Sequence, residues 1–104
     1  MLLGKLVKQP VERQNYFVKY ADYLQEGEVL VNIVGVATLQ GTIIDPLVVD
    51  NFTLIGPVIM ASNQDVEFWL EGGLDGMSYK LEFTATTNFS NVKQDEFKVK
   101  IKEI

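Results

Sequence analysis

The stretch Val66-Glu67-Phe68-Trp69-Leu70-Glu71, then Gly72-Gly73-Leu74-Asp75-Gly76, then Tyr79-Lys80-Leu81-Glu82-Phe83-Thr84-Ala85-Thr86, decides the fold class. Val66, Phe68 and Leu70 hold one parity and Glu67, Trp69 and Glu71 the other. Tyr79, Leu81, Phe83 and Ala85 alternate in the same way with Lys80, Glu82, Thr84 and Thr86. A period of two sends successive side chains to opposite faces of a strand, one face to a core and one to water. Phe97, Val99 and Ile101 repeat the pattern against Glu96, Lys98, Lys100 and Lys102. Three successive half-buried antiparallel strands are expected, with the Gly-rich segment between the first two read as a hairpin loop.

Working back toward the N-terminus, Leu47 to Ile55 reads as a further strand, with Asp45-Pro46 as punctuation before it. Gly56-Pro57 reads as a turn or bulge, and Val58-Ile59-Met60 extends the strand beyond it. Val29 to Leu39 is rich in Val and Ile on both parities. That pattern predicts either burial of both faces or a break near Gly35. Tyr16, Val18 and Tyr20 alternate with Phe17 and Lys19, and Ala21 to Leu24 allows one helical turn. Pro10 favours an extended residue before it, so residues 1–12 are expected as an extended arm. Residues 13–104 are then one domain, since 104 residues suit a single core. No segment keeps a helical period over ten residues. The expected fold is an all-β, immunoglobulin-like antiparallel β-sandwich of about seven strands. Tyr79, shortly after Gly72, Gly73 and Gly76, is either the corner tyrosine such domains carry at this point or a plain strand aromatic.

Composition narrows function by exclusion. The chain has no His and no Cys, which removes Ser–His–Asp and Cys–His nucleophile sets, thiol chemistry and Cys metal sites. Glu67 and Glu71 lie on one parity beside Trp69, but i and i+4 on a strand are about 13 Å apart, too far for a cooperating carboxylate pair. Glu26, Glu28, Asp95 and Glu96 read as loop or strand-edge charges. Asp75 and Glu71 lack the regular spacing of a calcium loop. No catalytic residue, metal or cofactor is expected. A net charge of −5 offers no basic field for nucleic acid or membrane. The apolar runs are too short to span a membrane as a helix, and Met1 to Lys8 is too charged for a signal peptide. Lys98, Lys100 and Lys102 read either as guards of an edge strand or as partners of acids such as Glu82.

One feature points outward. If Val66, Phe68 and Leu70 face the core, Trp69 faces away from it, and large aromatics outside a small domain are enriched at interfaces. Phe17, Tyr20, Tyr23 and Phe89 are further candidates for an apolar docking patch. Coverage of Trp69 by a loop or by the N-terminal arm is the alternative.

Certain residues also carry a resemblance. They are Lys8, Pro10 and Glu12; Tyr16, Val18, Tyr20, Tyr23 and Leu24; Glu26-Gly27-Glu28; Trp69-Leu70 with Gly72, Gly73, Gly76 and Tyr79; and Thr84, Thr86 and Thr87. In this order, from about Lys8 to Ile101, the chain resembles the small bacteriophage fiber–tail adaptors. Family members often have Trp where Tyr20 and Tyr23 stand, and Gly41 to Ser62 matches the pattern poorly. The resemblance implies a non-enzymatic virion protein, assembled in the host cytoplasm, that docks in symmetric copies on other phage structural proteins of the tail, neck ring, fiber or capsid. In that role the N-terminal arm would order on a partner. A capsid decoration protein and a carbohydrate-binding sandwich are the competing readings.

Overall fold

The computed structural model describes residues 2–43, 47 and 49–103. Among them are seven strands: β1 (Leu2–Lys8), β2 (Arg13–Lys19), β3 (Leu30–Gln40), β4 (Thr53–Ile59), β5 (Asp65–Glu71), β6 (Ser78–Thr87) and β7 (Val92–Ile101), with one 3-10 turn at Ala21–Tyr23. They form two sheets, a four-stranded one in the order β1-β7-β6-β3 and a three-stranded one in the order β2-β5-β4. The turn expected at Asp45-Pro46 lies outside the described residues. The strand expected from Leu47 begins only at Thr53.

The alternation in β5 and β6 is fully expressed: every second residue is buried. Val66, Phe68 and Leu70 of β5 meet Tyr79, Leu81, Phe83 and Ala85 of β6 in one core, with Val18, Leu30, Val99 and Ile101. Phe68 and Phe83 make an edge-to-face contact across the two sheets, centroids 4.9 Å apart. Burying such side chains removes apolar surface from water at roughly 25 cal/mol per Å², the main favourable term in a chain without disulfides.

Three expectations need correction. β5 and β6 belong to different sheets, so Gly72 to Gly76 is a crossover between layers and not a hairpin loop. Only β6 and β7 form the expected hairpin. Nor is the pairing purely antiparallel: β1 runs parallel to β7. The segment expected as an arm is thus extended but lies on the chain's own sheet. β7 is consequently an interior strand, and its lysines guard no edge. Finally, β3 is neither buried on both faces nor broken at Gly35. It pairs continuously with β6 from Asn32 to Gln40, and Val34 and Val36 face outward half exposed. Gly35 faces inward, where a Cβ would stand 2.6 Å from Pro57 Cδ and 2.9 Å from the Phe83 ring.

The crossover is fixed by its glycines and by Tyr79. Gly72 and Gly73 adopt φ of +68° and +107°, conformations that cost L-residues dearly. A Cβ on Gly72 would collide with the Asn51 carbonyl, and one on Gly73 would lie 2.7 Å from Ile101. Tyr79 is buried, stacks on Phe52 at 3.9 Å and donates its hydroxyl to Asp50 Oδ1 at 2.8 Å.

Candidate protein-docking site

The outer face of the three-stranded sheet is set by register. Asn15, Trp69 and Ile55 stand in one row across β2, β5 and β4, and Phe17, Glu67 and Val58 stand in the next. Arg13, Glu71 and Thr53 form the row on the other side. Trp69 therefore sits at the centre, with Ile55 beside it and Phe17 and Val58 as diagonal neighbours. Cross-strand and diagonal side chains on one face lie within reach of an indole. Phe17 is 52% exposed and Val58 61%. Val58 reaches the same face as Ile55 because the β4–β5 register shifts between them, whereas Phe17 is placed there by the unbroken β2–β5 register. The bulge at Gly56-Pro57 puts Ile55 and Val58, three positions apart, on one side.

Polar groups frame this patch. The Arg13 guanidinium lies over the Trp69 ring, 4.3 Å from its centroid, and Nε pairs with Glu71 at 3.5 Å. Asn15 Nδ2 donates to Glu67 Oε2 at 3.3 Å. Trp69 is part exposed, with Arg13, a residue of its own sheet face, lying over its ring. An apolar centre with Trp and Arg inside a polar frame is the composition of binding hot spots. The Arg13–Glu71 row leads into an open groove lined by Pro10, Val11, Glu12, Asn51 and Gly72.

The other expected patch residues are placed elsewhere. Tyr20 is a correction. It is 1% exposed and points into the core, on the same parity as Tyr16 and Val18. Its hydroxyl faces Asp95, and burial, then the Asp95 charge, raise its pKa well above the usual phenol range. Tyr23 and Phe89 are exposed but sit at an end of the domain where the β2–β3, β4–β5 and β6–β7 connections meet. There Tyr23 lies under Lys93 Nζ at 4.0 Å, and a Cβ on Gly27 would touch Phe89 at 3.8 Å.

Two acids read as surface charges are buried. Glu28 is 3% exposed; it accepts from Thr87 Oγ1 at 2.7 Å, Asn91 Nδ2 at 2.8 Å and the Gln25 N–H at 2.9 Å. These donors, Thr87 foremost, hold its carboxyl below the usual range. Asp95 is fully buried, with Lys93 Nζ at 3.8 Å and, among the described residues, no hydrogen-bond partner of good geometry at either oxygen. At the opposite end of the domain, Lys8 is buried and donates to the Gln9 and Gly72 carbonyls at 2.7 and 2.6 Å. Burial lowers its pKa against the raising effect of Glu12 and Glu71. Among the described residues no cluster of carboxylates is arranged to hold a metal ion.

No curated protein matches this sequence. The family model described as podophage GP4 fiber-tail adaptor protein gp77 matches residues 8–100. That span contains β2 to β6 whole, β7 up to Lys100, the whole Trp69 face and both loop-bearing ends, and the family's role is structural and non-enzymatic. With most of its length matched, the chain belongs to the podophage GP4 fiber-tail adaptor protein gp77 family.

Proposed function

We propose that this adaptor works as a rigid immunoglobulin-like spacer of the virion, set between a tail or neck ring and a fiber, in several symmetric copies. The observation that carries the docking half of this reading is the Trp69 face: Trp69, Phe17, Ile55 and Val58 in one patch with Arg13 over the indole. An isolated domain gains nothing from such a patch, whereas a partner surface covering it removes apolar area from water. The loop end bearing Tyr23 and Phe89 is the second contact. The molecule measures 50 × 20 × 18 Å, so an end and a sheet face can engage different neighbours at once. The immunoglobulin-like reading is supported by the strand order. With β2 to β7 taken as B to G, the sheets carry B-E-D and C-F-G, and Tyr79 stands at the start of F after the E–F crossover.

The test is binding of the purified chain to phage particles assembled without it, scored by co-sedimentation. Trp69→Ala is expected to weaken binding by about thirtyfold, the effect of losing an interface hot spot of 2 kcal/mol. Thr84→Ala, on the outer face of the other sheet, leaves binding unchanged. Binding of a folded Trp69→Ala, Phe17→Ala double variant at the unmodified level would remove this face from the docking model.

A further inference from the structure

Four strands lie at sheet edges: β1 and β3 in one sheet, β2 and β4 in the other. Exposed edges invite pairing with another chain, and proteins blunt them with charge, proline or a bulge. Three of these edges are blunted in that way. β1 carries the exposed Lys5, β2 carries Arg13 and Lys19, and β4 carries Pro57 at its register shift. β3 is different. Leu30–Gln40, the longest strand, has no charged residue and no proline over eleven positions. Among the described residues no strand pairs with its outer edge.

The sequence of that edge is complementary to itself. Pair the regular part of β3, Asn32 to Thr38, antiparallel with a second copy about a two-fold axis at Gly35. Val34 then meets Val36 of the second copy, Ile33 meets Ala37, and Asn32 meets Thr38. Apolar residues face apolar ones, and the amide faces a hydroxyl it can bond. No like charges oppose one another, which is the usual cost of self-pairing. A two-fold contact of this kind is closed, with the same patch used on both copies. We infer that β3 is a self-pairing edge, and that two copies of this chain join antiparallel through Asn32–Thr38 into one continuous eight-stranded sheet. The occupant is a second copy because this edge matches itself residue for residue in that register, apolar against apolar and amide against hydroxyl, with no charge to set against a charged partner. This inference does not depend on the Trp69 face, which lies on the other sheet.

Sedimentation equilibrium of the full chain over a wide concentration range tests it. A reversible monomer–dimer equilibrium is expected. Val34→Glu raises the dissociation constant about tenfold or more, because the two-fold makes the substitution count twice. Val34→Glu with Val36→Lys restores the dimer, since each new Glu then faces a new Lys of the other copy only in the register centred on Gly35. Val36→Lys alone sits beside Glu82 of its own copy and weakens the dimer as Val34→Glu does. Both sites face solvent in the monomer, so melting temperatures at dilution stay unchanged. A chain that stays monomeric at every concentration overturns the inference. So does a Val34→Glu variant that dimerises normally, or a double variant as weak as the single one.

Discussion

Replacing Tyr79 with Phe takes away one hydroxyl and leaves the ring in place. The ring is 1% exposed and stacks on Phe52 with planes 14° apart, so Phe keeps both the burial and the stack. What is lost is the bond to Asp50 Oδ1 at 2.8 Å, together with the bond the hydroxyl accepts from the Leu74 backbone. A hydrogen bond to a charged group contributes about 1.5–3 kcal/mol. Asp50 is exposed and keeps the Phe52 N–H at 3.0 Å, so no acceptor is stranded and the low end applies, about 1.5 kcal/mol. For a domain of about a hundred residues this lowers the melting temperature by about 6–12 °C. Thermal unfolding followed by far-UV circular dichroism at neutral pH measures it. Alkaline pH supplies an independent check. Burial first, then the hydrogen bond to Asp50, pushes the Tyr79 phenol up to about 12, while a backbone bond from Leu74 opposes them. A group whose folded pKa is raised gives its full stabilisation below the unfolded value, about 10 for Tyr. That stabilisation is lost as pH rises through the folded value. Tyr79→Phe therefore shows a shallower loss of stability between pH about 10 and 12 than the unmodified chain. A variant that melts within about 2 °C of the unmodified protein, with the same alkaline limb, would refute the claim that this hydroxyl ties β6 to the β3–β4 connection.

Glu28→Gln is expected to remove an acid-labile contribution. The Glu28 carboxyl is lowered by its donors, so its stabilisation is present above the unfolded value and lost as pH falls through the folded one. Melting curves of variant and unmodified protein should differ at neutral pH and converge in acid; a constant gap at all pH values would contradict this. Lys93→Ala leaves Asp95 buried without the one ion-pair partner it has among the described residues, at a cost of about 2 kcal/mol, below the range for fully buried pairs because Lys93 is part exposed. Adding Asp95→Asn should recover most of that loss in urea unfolding, and additive effects of the two changes would rule out their coupling.

Parity was the readable part of this fold, and neighbours were not. Val66 to Glu71 and Tyr79 to Thr86 state which face of each strand is buried, and each proved buried on that face. Nothing in Gly72 to Gly76 states that the chain changes sheet, because glycines serve a hairpin and a crossover equally well. Tyr20 shared its parity with Tyr16 and Val18, so the alternation itself argued for the core and against a surface patch. Ile55 and Val58 gave no signal, because the bulge at Gly56-Pro57 breaks the period that would have placed them beside Trp69. β3 misled because apolar residues on both parities mean burial in an interior strand but not in an uncharged edge. The buried Glu28 was illegible for another reason: its side-chain donors Thr87 and Asn91 lie 59 and 63 residues away.

The buried polar groups at the two ends bear on how an adaptor holds its contacts. Lys8 bonds the Gly72 carbonyl, joining the end of β1 to the β5–β6 crossover. Asn51 joins the same crossover to the β3–β4 connection through the Gly73 N–H at 2.9 Å. Glu28 joins the β2–β3 connection to the β6–β7 loop at the other end. Asn88 doubles that joint, bonding the Val29 N–H at 2.8 Å and the Gly27 carbonyl at 3.1 Å. Lys8 and Glu28 are charged side chains held inside by partners on a different connection, whereas Asn51 and Asn88 bridge connections at the exposed surface. Releasing a connection would strand a buried donor or acceptor, so these connections are held to the sheets and do not open freely. Connections fixed before a partner arrives lose little conformational entropy when it binds. The side chains that escaped the sequence reading are therefore the ones that hold both ends of the domain in a fixed shape.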